Sequence, residues 1–563
     1  MRPEEPAPEP GNVLVLIADD LGVDQLAAYG LGSDLPPTPN LDRMAAEGVL
    51  FRNVWSQPVC SPTRATIQTG RYGFRTTIGA TINVFGGGPA LPLDELTLPE
   101  MLDLGTGGRY AHAMIGKWHL GTSQVGGDLA PNLAGYGHFS GSMEGQITNY
   151  FGWRKVSDGV VSMSHHYATS ACVDDALQWI GQQTGPWLCV VGFQAPHAPF
   201  HVPPAHLHTQ VLPPVIPPDS CATAGSTDPR PFYKAMIQAL DTEIGRLLAG
   251  LPAGMRARTT IFFLGDNGSE PCVRVPSLPA PAKATLYEGG VAVPFLASGY
   301  GVGRGESRAL VNTCDLFATI AELSGIDPEK TLPGLVLDSV SFASSLRDPA
   351  REQREWLYAE TFGANGPGQP PVLPACPTVP VCQQDIGFDG PGGIALASCG
   401  PPLYGAYGSN LVPWQVSGGP PLANAWLRMG GPTPAFDATI GAWLISSPPA
   451  CVIPFRLDGK GAFAGTLWTG NTSREIHYQV VAEDPALPLG FTVSSALRMD
   501  LLPTYMRAVR NRRYKLIRLD PCTEQMYDLG TDPLELTDLL RQPLTTDESA
   551  AYFELSARLG ALH

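Results

Sequence analysis

NVLVLIADD, residues 12–20, decides the fold class. Val13 to Ala18 form an unbroken apolar run of strand length, and the run ends on two aspartates. Four more runs read the same way: HAMIGKW at 112–118, PWLCVVGFQ at 186–194, TTIFFLG at 259–265 and VPFLASG at 293–299. Between them stand segments with helical spacing, namely TPNLDRMAAEG (38–48), TLPEMLDLG (97–105), ATSACVDDALQWIGQ (168–182), FYKAMIQALDTEIGRLLAGL (232–251) and TCDLFATIAELSG (313–325). Alternation of strands and helices predicts an α/β domain over residues 12–345. Two helix starts carry cap signals: Thr38 before Pro39, with Gly48 closing that helix, and Thr97 with Glu100 at capping-box spacing. No internal repeat is evident.

At 563 residues the chain exceeds one hydrophobic core, so a second, smaller unit is expected over 346–563. Within it, residues 363–500 are rich in Gly, Pro and Cys and give no assignable fold, whereas MRAVRNRRYKLIRL (506–519) predicts a strand pair across an Asn-Arg-Arg turn. MYDLGTDPLELTDLL (526–540) follows, and together they predict a small antiparallel sheet with a closing helix. Net charge is −16, with 36 Lys+Arg against 52 Asp+Glu, which excludes a nucleic-acid surface; an anionic substrate would need locally focused positive charge. The longest apolar run, at 13–18, is far short of a membrane span, so no transmembrane segment is expected. Residues 1–11 read as a Pro/Glu-rich flexible tail of the kind left when an export signal is replaced by a start methionine. This predicts an exported protein, periplasmic or extracellular, with a cytoplasmic one as the alternative. Of the 11 cysteines, Cys172 and Cys189 lie in apolar contexts that suit buried free thiols, while Cys376, Cys382, Cys399 and Cys451 are expected to form disulfides where core is lacking.

Ligands of open α/β sheets bind beyond the carboxyl ends of strands. Four such ends carry reactive side chains: Asp19 and Asp20, Asp266 and Asn267, Lys117 with His119, and His197. Singly, each has an ordinary explanation as a turn or cap. Jointly they offer four hard oxygen ligands, suited to Ca2+ or Mg2+, beside cationic groups able to bind an anion.

With CSPTR (60–64) and TGR (69–71) added, the chain resembles the sulfatase family of the alkaline-phosphatase-like superfamily. IADDLG (17–22), TPNLDRMAAEG, GKWHLG (116–121), APHAP (195–199), GDNG (265–268) and LYEGG (286–290) occur in that family's order, and the AVRNRRYKLIRL…YDLGTDPLE tail matches as well. PLDELTLPEML (92–102) looks most like the arylsulfatase branch that includes N-acetylgalactosamine-4-sulfatases. The resemblance implies a central mixed β-sheet flanked by helices, with a smaller C-terminal antiparallel subdomain.

It also implies hydrolysis of aryl or carbohydrate sulfate esters, with Cys60 oxidised to Cα-formylglycine by a separate maturation enzyme. The hydrated aldehyde is a geminal diol, which a metal ion makes a strong oxygen nucleophile. Pro62 suits a helix first turn, so residue 60 would sit where helix N–H groups attract negative charge. By the same resemblance Asp19, Asp20, Asp266, Asn267 and residue 60 hold one Ca2+. Arg64 holds the diol, Lys117 and Lys283 bind sulfate oxygens, His119 is the base on the diol, and His197 protonates the departing oxygen. Arg71 is expected to support the helix. Alternatives are a formylglycine-dependent phosphonate monoester or phosphodiester hydrolase, and a silent sulfate- or carbohydrate-binding protein. The all-oxygen pair Asp266-Asn267 argues against the first of these. Substrate choice is expected to lie in insertions such as 200–230 and 270–282.

Overall fold

Asn12–Ala18 forms strand β1, with every residue buried. The computed structural model describes residues 11–562 except 277, 279–281, 364, 371–380, 383, 388–389, 391, 398, 401–403, 406–410, 431–433, 438–441, 446–450, 469–474, 501 and 504, and at some strand positions within 381–503 the backbone only. The main sheet adds β2 (Val49–Trp55), β3 (Ala111–Lys117), β4 (His138–Ser142), β5 (Trp153–Ser157), β6 (Val160–Ser164), β7 (Trp187–Gly192), β8 (Thr259–Gly265), β9 (Phe295–Gly299) and β10 (Gly305–Asn312). Their order is β10-β2-β9-β8-β1-β7-β3-β4-β5-β6. The inner strands β8, β1, β7, β3 and β4 are mutually parallel, whereas β9 runs antiparallel to β2 and β8, and β5 and β6 close the far edge antiparallel. The mixed α/β sheet anticipated from the sequence is therefore present. Its two faces are covered by separate apolar layers, one centred on Leu14, Leu16, Phe263 and Ile237, the other on Val13, Val15, Phe262 and Phe317. That alternation along β1 is what a strand buried on both faces requires.

All five helical segments read from the sequence form helices: Pro39–Glu47, Leu98–Thr106, Ala168–Ile180, Arg230–Gly250 and Asp315–Leu323. Glu100 reaches back to the Thr97 N–H at 2.9 Å, as the capping box predicts. Thr38 departs from expectation. Its hydroxyl bonds the Asp42 carboxylate at 3.3 Å, and the orphan N–H groups of Asn40 and Leu41 are instead taken by Asp241, at 3.1 and 2.8 Å, from the Arg230–Gly250 helix. Gly48 is needed for close approach, since a Cβ there would stand 2.0 Å from the Ala297 carbonyl oxygen.

The chain separates into two compact units, Met1–Pro370 with Arg507–Arg518 and Gln525–His563, and Pro371–Met506 with Leu519–Glu524. The expected catalytic span 12–345 lies inside the first, but the division differs from a boundary at 345/346. Strand Leu357–Phe362 enters a four-stranded sheet next to Tyr505–Arg510, which pairs antiparallel with Tyr514–Asp520, and Thr523–Asp528 completes it. The closing helix is Thr546–Ala561. Among the described residues the regular elements of the second unit are strands, and its largest sheet includes Asn424–Gly430, Glu475–Glu483 and Cys451–Arg456 around buried Leu427, Tyr478 and Val480. Among the described residues no helix is long and apolar enough to cross a membrane.

The LYEGG motif has a structural part. Lys515 is wholly buried, 3.1 Å from Glu288 and 2.7 Å from Glu535, with its ammonium 4.7 Å above the Trp55 ring. Removing only the cation would leave the buried Glu535 carboxylate without the cation it pairs with among the described residues, and Glu288 with Arg510 alone, at 3.4 Å. Lys515→Met is expected to lower stability by about 3–5 kcal/mol, read as a shift of the denaturation midpoint. A wild-type midpoint would show that the cluster is energetically neutral.

Cys172 and Cys189 are buried free thiols as expected, and so, among the described residues, are Cys60 and Cys314. A disulfide joins Cys221 to Cys272, a pair the sequence left unassigned, and so ties the 200–230 insertion to the 270–282 insertion. Cys522 is also disulfide-bonded. Cys382 and Cys399 are register partners of two short strands, but the side chains of Cys376, Cys382, Cys399 and Cys451 lie outside the described residues.

Candidate active site

The carboxyl ends of β8, β1, β7 and β3 lie side by side because these four strands are parallel neighbours. That adjacency brings together residues hundreds of positions apart. Asp19 and Asp20 follow β1, Asp266 and Asn267 follow β8, Lys117 ends β3 with His119 two residues on, and His197 lies in the turn after β7. Cys60 is the first residue of the helix Cys60–Thr69, capped by Val59 and wholly buried along its length. Gly70 ends this helix at φ 68°, and a Cβ there would meet the Phe317 side chain at 2.8 Å. Arg71 bonds the Val336 carbonyl and pairs with Glu95 at 3.2 Å, consistent with a supporting role.

Three buried carboxylates face three cations. Lys117 Nζ donates to Asp19 Oδ2 at 2.5 Å, Lys283 Nζ to Asp20 Oδ2 at 2.6 Å, and Arg64 Nη2 to Asp266 Oδ2 at 2.8 Å. Lys283, carried by a loop after the 270–282 insertion, therefore joins the centre as expected. Arg64 makes no hydrogen bond to the Cys60 thiol; its Nε also donates to Asp266 Oδ2 at 3.1 Å and its Nη1 to the Lys117 carbonyl at 2.9 Å, so it orients Asp266 and the end of β3. Gly192 makes room for this, since a Cβ would lie 2.8 Å from Arg64 Nη1. Burial raises Asp19 well above the ordinary carboxylate range, with Asp266 adding to the rise and Lys117 opposing it. Burial would raise Asp20 too, but His197, Lys283 and Lys117 outweigh it and hold its carboxyl below that range.

His119 Nε2 lies 2.9 Å from the Ile82 carbonyl, which can only accept, so this nitrogen carries the proton. Nδ1 is then the lone-pair nitrogen, 3.2 Å from Cys60 Sγ. Burial, reinforced by Lys117, pushes His119 well below the usual imidazole range and keeps it neutral. His197 is lowered to about 4, chiefly by burial; its Nδ1 meets the Ala198 carbonyl at 2.7 Å, and Nε2 stands 3.5 Å from Asp20. Tyr150 and Tyr233, unmarked in the sequence reading, hold the backbone here: Tyr150 donates to the His197 carbonyl at 2.7 Å and Tyr233 to the Asp20 carbonyl at 2.5 Å.

A family model described as Sulfatase matches residues 11–326. The chain belongs to the sulfatase family. Among curated relatives, N-acetylgalactosamine-6-sulfatase of Sus scrofa is 31% identical over 59% of this chain and 66% of its own length, about two thirds. The Homo sapiens enzyme of that name is 31% identical over 63% of this chain and 71% of its own. Arylsulfatase G of Rattus norvegicus is 28% identical over 61% and 70%. Solved structures share the fold of this sulfatase: Ps i-CgsB at a TM-score of 0.60 and 18% identity, covering 98% of this chain and 93% of that one, and BT4656 with D-glucosamine-2-N,6-O-disulfate at 0.58 and 16%, covering 98% and 97%.

The sulfatase centre suits a hard dication. Asp19 Oδ1 and Asn267 Oδ1 are buried without any hydrogen-bond partner, a costly state for two oxygen atoms unless something positive completes them. Asp19, Asp20 and His197 also offer one atom each within 4.8 Å of one another. The two orphaned atoms are both oxygens, so the donor set favours Ca2+ over a softer ion.

Proposed function

We propose that this protein hydrolyses sulfate monoesters of aryl alcohols or sugars, with residue 60 as the nucleophilic position. The observation that carries this reading is the placement of Cys60 at a helix start, 3.2 Å from the lone-pair nitrogen of His119, in a cleft of about 300 Å³ that His197 and Lys283 also line. As a thiol, Cys60 would be a poor nucleophile, because burial pushes its pKa up. Oxidation to formylglycine by a maturation enzyme would supply paired hydroxyls at that carbon instead.

Asp19, Asp20, Asp266 and Asn267 would hold one Ca2+, which when bound supplies positive charge that polarises oxygen at residue 60. Lys117 and Lys283 provide the charge that balances Asp19 and Asp20 in the present arrangement. With a dication beside these carboxylates the two ammonium groups serve a sulfate anion. Burial opposes the Lys283 charge, but Asp20 and Glu270 outweigh it and keep the group protonated. His119 takes a proton at Nδ1 from residue 60; His197, whose Nδ1–H is held by the Ala198 carbonyl, delivers one from Nε2 to the leaving oxygen only as the imidazolium, the form that Asp20 at 3.5 Å favours against burial. The names of the relatives favour a sulfated amino sugar. The Cys221–Cys272 disulfide favours an oxidising compartment, and with it export.

The test is turnover of a chromogenic aryl sulfate and of sulfated monosaccharides by protein produced with a formylglycine-generating partner. Peptide mass spectrometry should find the residue 60 peptide as aldehyde or hydrate, and full activity with thiol alone would sink the reading. Metal binding has its own readout. Ca2+ over chelated protein should raise the thermal midpoint by a few degrees, since saturation at ~100 Kd adds about 2.7 kcal/mol. Asp19→Asn should erase that shift; an equal shift in the variant would put the ion elsewhere.

A further inference from the structure

Among the described residues, Glu144 is the one titratable group on the cleft wall that the reading above does not use. It follows β4, whose parallel pairing with β3 sets it beside His119. Its backbone is fixed on both sides, the N–H donating to Ser142 Oγ at 3.1 Å and the carbonyl accepting from Gln194 Nε2 at 3.3 Å. Gly145 then lies against the His119 ring so closely that a Cβ would stand 2.4 Å from it. The residue is 9% exposed, yet its carboxylate has no hydrogen bond and no ion pair among the described residues. The cation whose charge it feels, Arg154, is held by Asp128 at 2.6 Å. Its carboxylate oxygens keep a small accessible face on the cleft, so they stand ready to accept hydrogen bonds from a molecule bound there. Opposite in character is Phe85, 67% exposed, which offers a flat apolar face to the same cleft.

We infer that Glu144 reads the sugar: it accepts hydrogen bonds from hydroxyl or N–H groups next to the sulfated carbon and rejects a second anion there. This rests on the sulfatase reading and narrows it to monosulfated sugars that are neutral or N-acylated at that position. A bidentate acceptor suits a vicinal hydroxyl and amide pair, whereas a neighbouring sulfate or uronate would place like charges together without solvent. Phe85 would carry the C–H face of the same ring.

The experiment compares three substrates, 4-nitrophenyl sulfate, an N-acetylhexosamine monosulfate and the corresponding disulfate, with wild type, Glu144→Gln and Glu144→Ala. For Glu144→Ala the ratio of kcat/KM for monosulfate over aryl sulfate should fall tenfold to a hundredfold, chiefly through KM, as expected when a charged hydrogen-bond partner is lost. Glu144→Gln, of the same size without the charge, should relax discrimination against the disulfate by at least tenfold. Unchanged ratios in both variants overturn the inference while leaving sulfate hydrolysis intact. An equal loss on all three substrates would place Glu144 in the shared machinery and also overturn it. Wild-type failure on every sulfate would sink the sulfatase reading itself, and this inference with it.

Discussion

Cys60→Ser should end sustained turnover, with the steady-state rate falling by at least ~10³-fold, comparable to losing an activated nucleophile. Serine places one hydroxyl near the position of Sγ, 3.2 Å from His119 Nδ1, so its proton has an acceptor. Oγ can form a bond to sulfur as the bond from sulfur to the alcohol oxygen breaks, and the alcohol leaves with a proton from His197. The sulfate ester left on serine has no second hydroxyl on the same carbon whose deprotonation could expel it. Alcohol release should therefore stop near one equivalent per enzyme, and the residue 60 peptide should gain the mass of a sulfate group. Many turnovers by this variant would mean that water attacks sulfur directly.

Lys117→Ala and Lys283→Ala are each expected to lose on the order of 10²-fold or more in kcat/KM, the scale for removing a preorganised charge stabiliser. Their stabilities should part company. Lys117 is fully buried, and without it the nearest cation to Asp19 is Arg64 at 4.0 Å, so a loss of about 3–5 kcal/mol is expected. Lys283 reaches the cleft surface, and Asp20 would keep Asn267 Nδ2 at 2.7 Å, so the fold should suffer less. Denaturation midpoints beside kcat/KM check both statements. Wild-type kcat/KM for Lys283→Ala would mean that another residue carries the charge.

The parts of this fold that were legible in the sequence share a physical cause. Strands β1, β3, β7 and β8 are buried on both faces, so apolar residues dominate both faces of each instead of alternating with polar ones, and the candidate site lies at their ends. Strands β4, β5 and β6 gave no such signal. They are short, β4 and β5 mix polar with apolar residues, and β6 exposes Val160, Val161 and Met163 at the sheet edge. Glu144 was invisible for that reason, since it is a site residue only if HFSGS is recognised as the strand beside β3. The Cys221–Cys272 pairing bridges 51 residues and depends on two loops meeting in space, which spacing alone does not disclose. The Arg64–Asp266 pair joins residues 202 positions apart, so it too was closed to a reading of spacing.

The sheet order also sets a clock. Strand β2 leads into the helix that starts at Cys60, yet its neighbours are β9 and β10, which begin at Phe295 and Gly305, more than two hundred residues after that helix ends. At ~5–20 residues per second of synthesis, roughly 10–50 s pass before those partners emerge. In the finished fold residue 60 is only 2% exposed and the helix behind it is buried throughout, so the proposed maturation enzyme would have no access to the side chain once the fold is complete. On the proposed function, oxidation of Cys60 would then be a race against the ribosome, and any change that let β2 find its partners sooner would shorten the time in which the proposed nucleophile could be made.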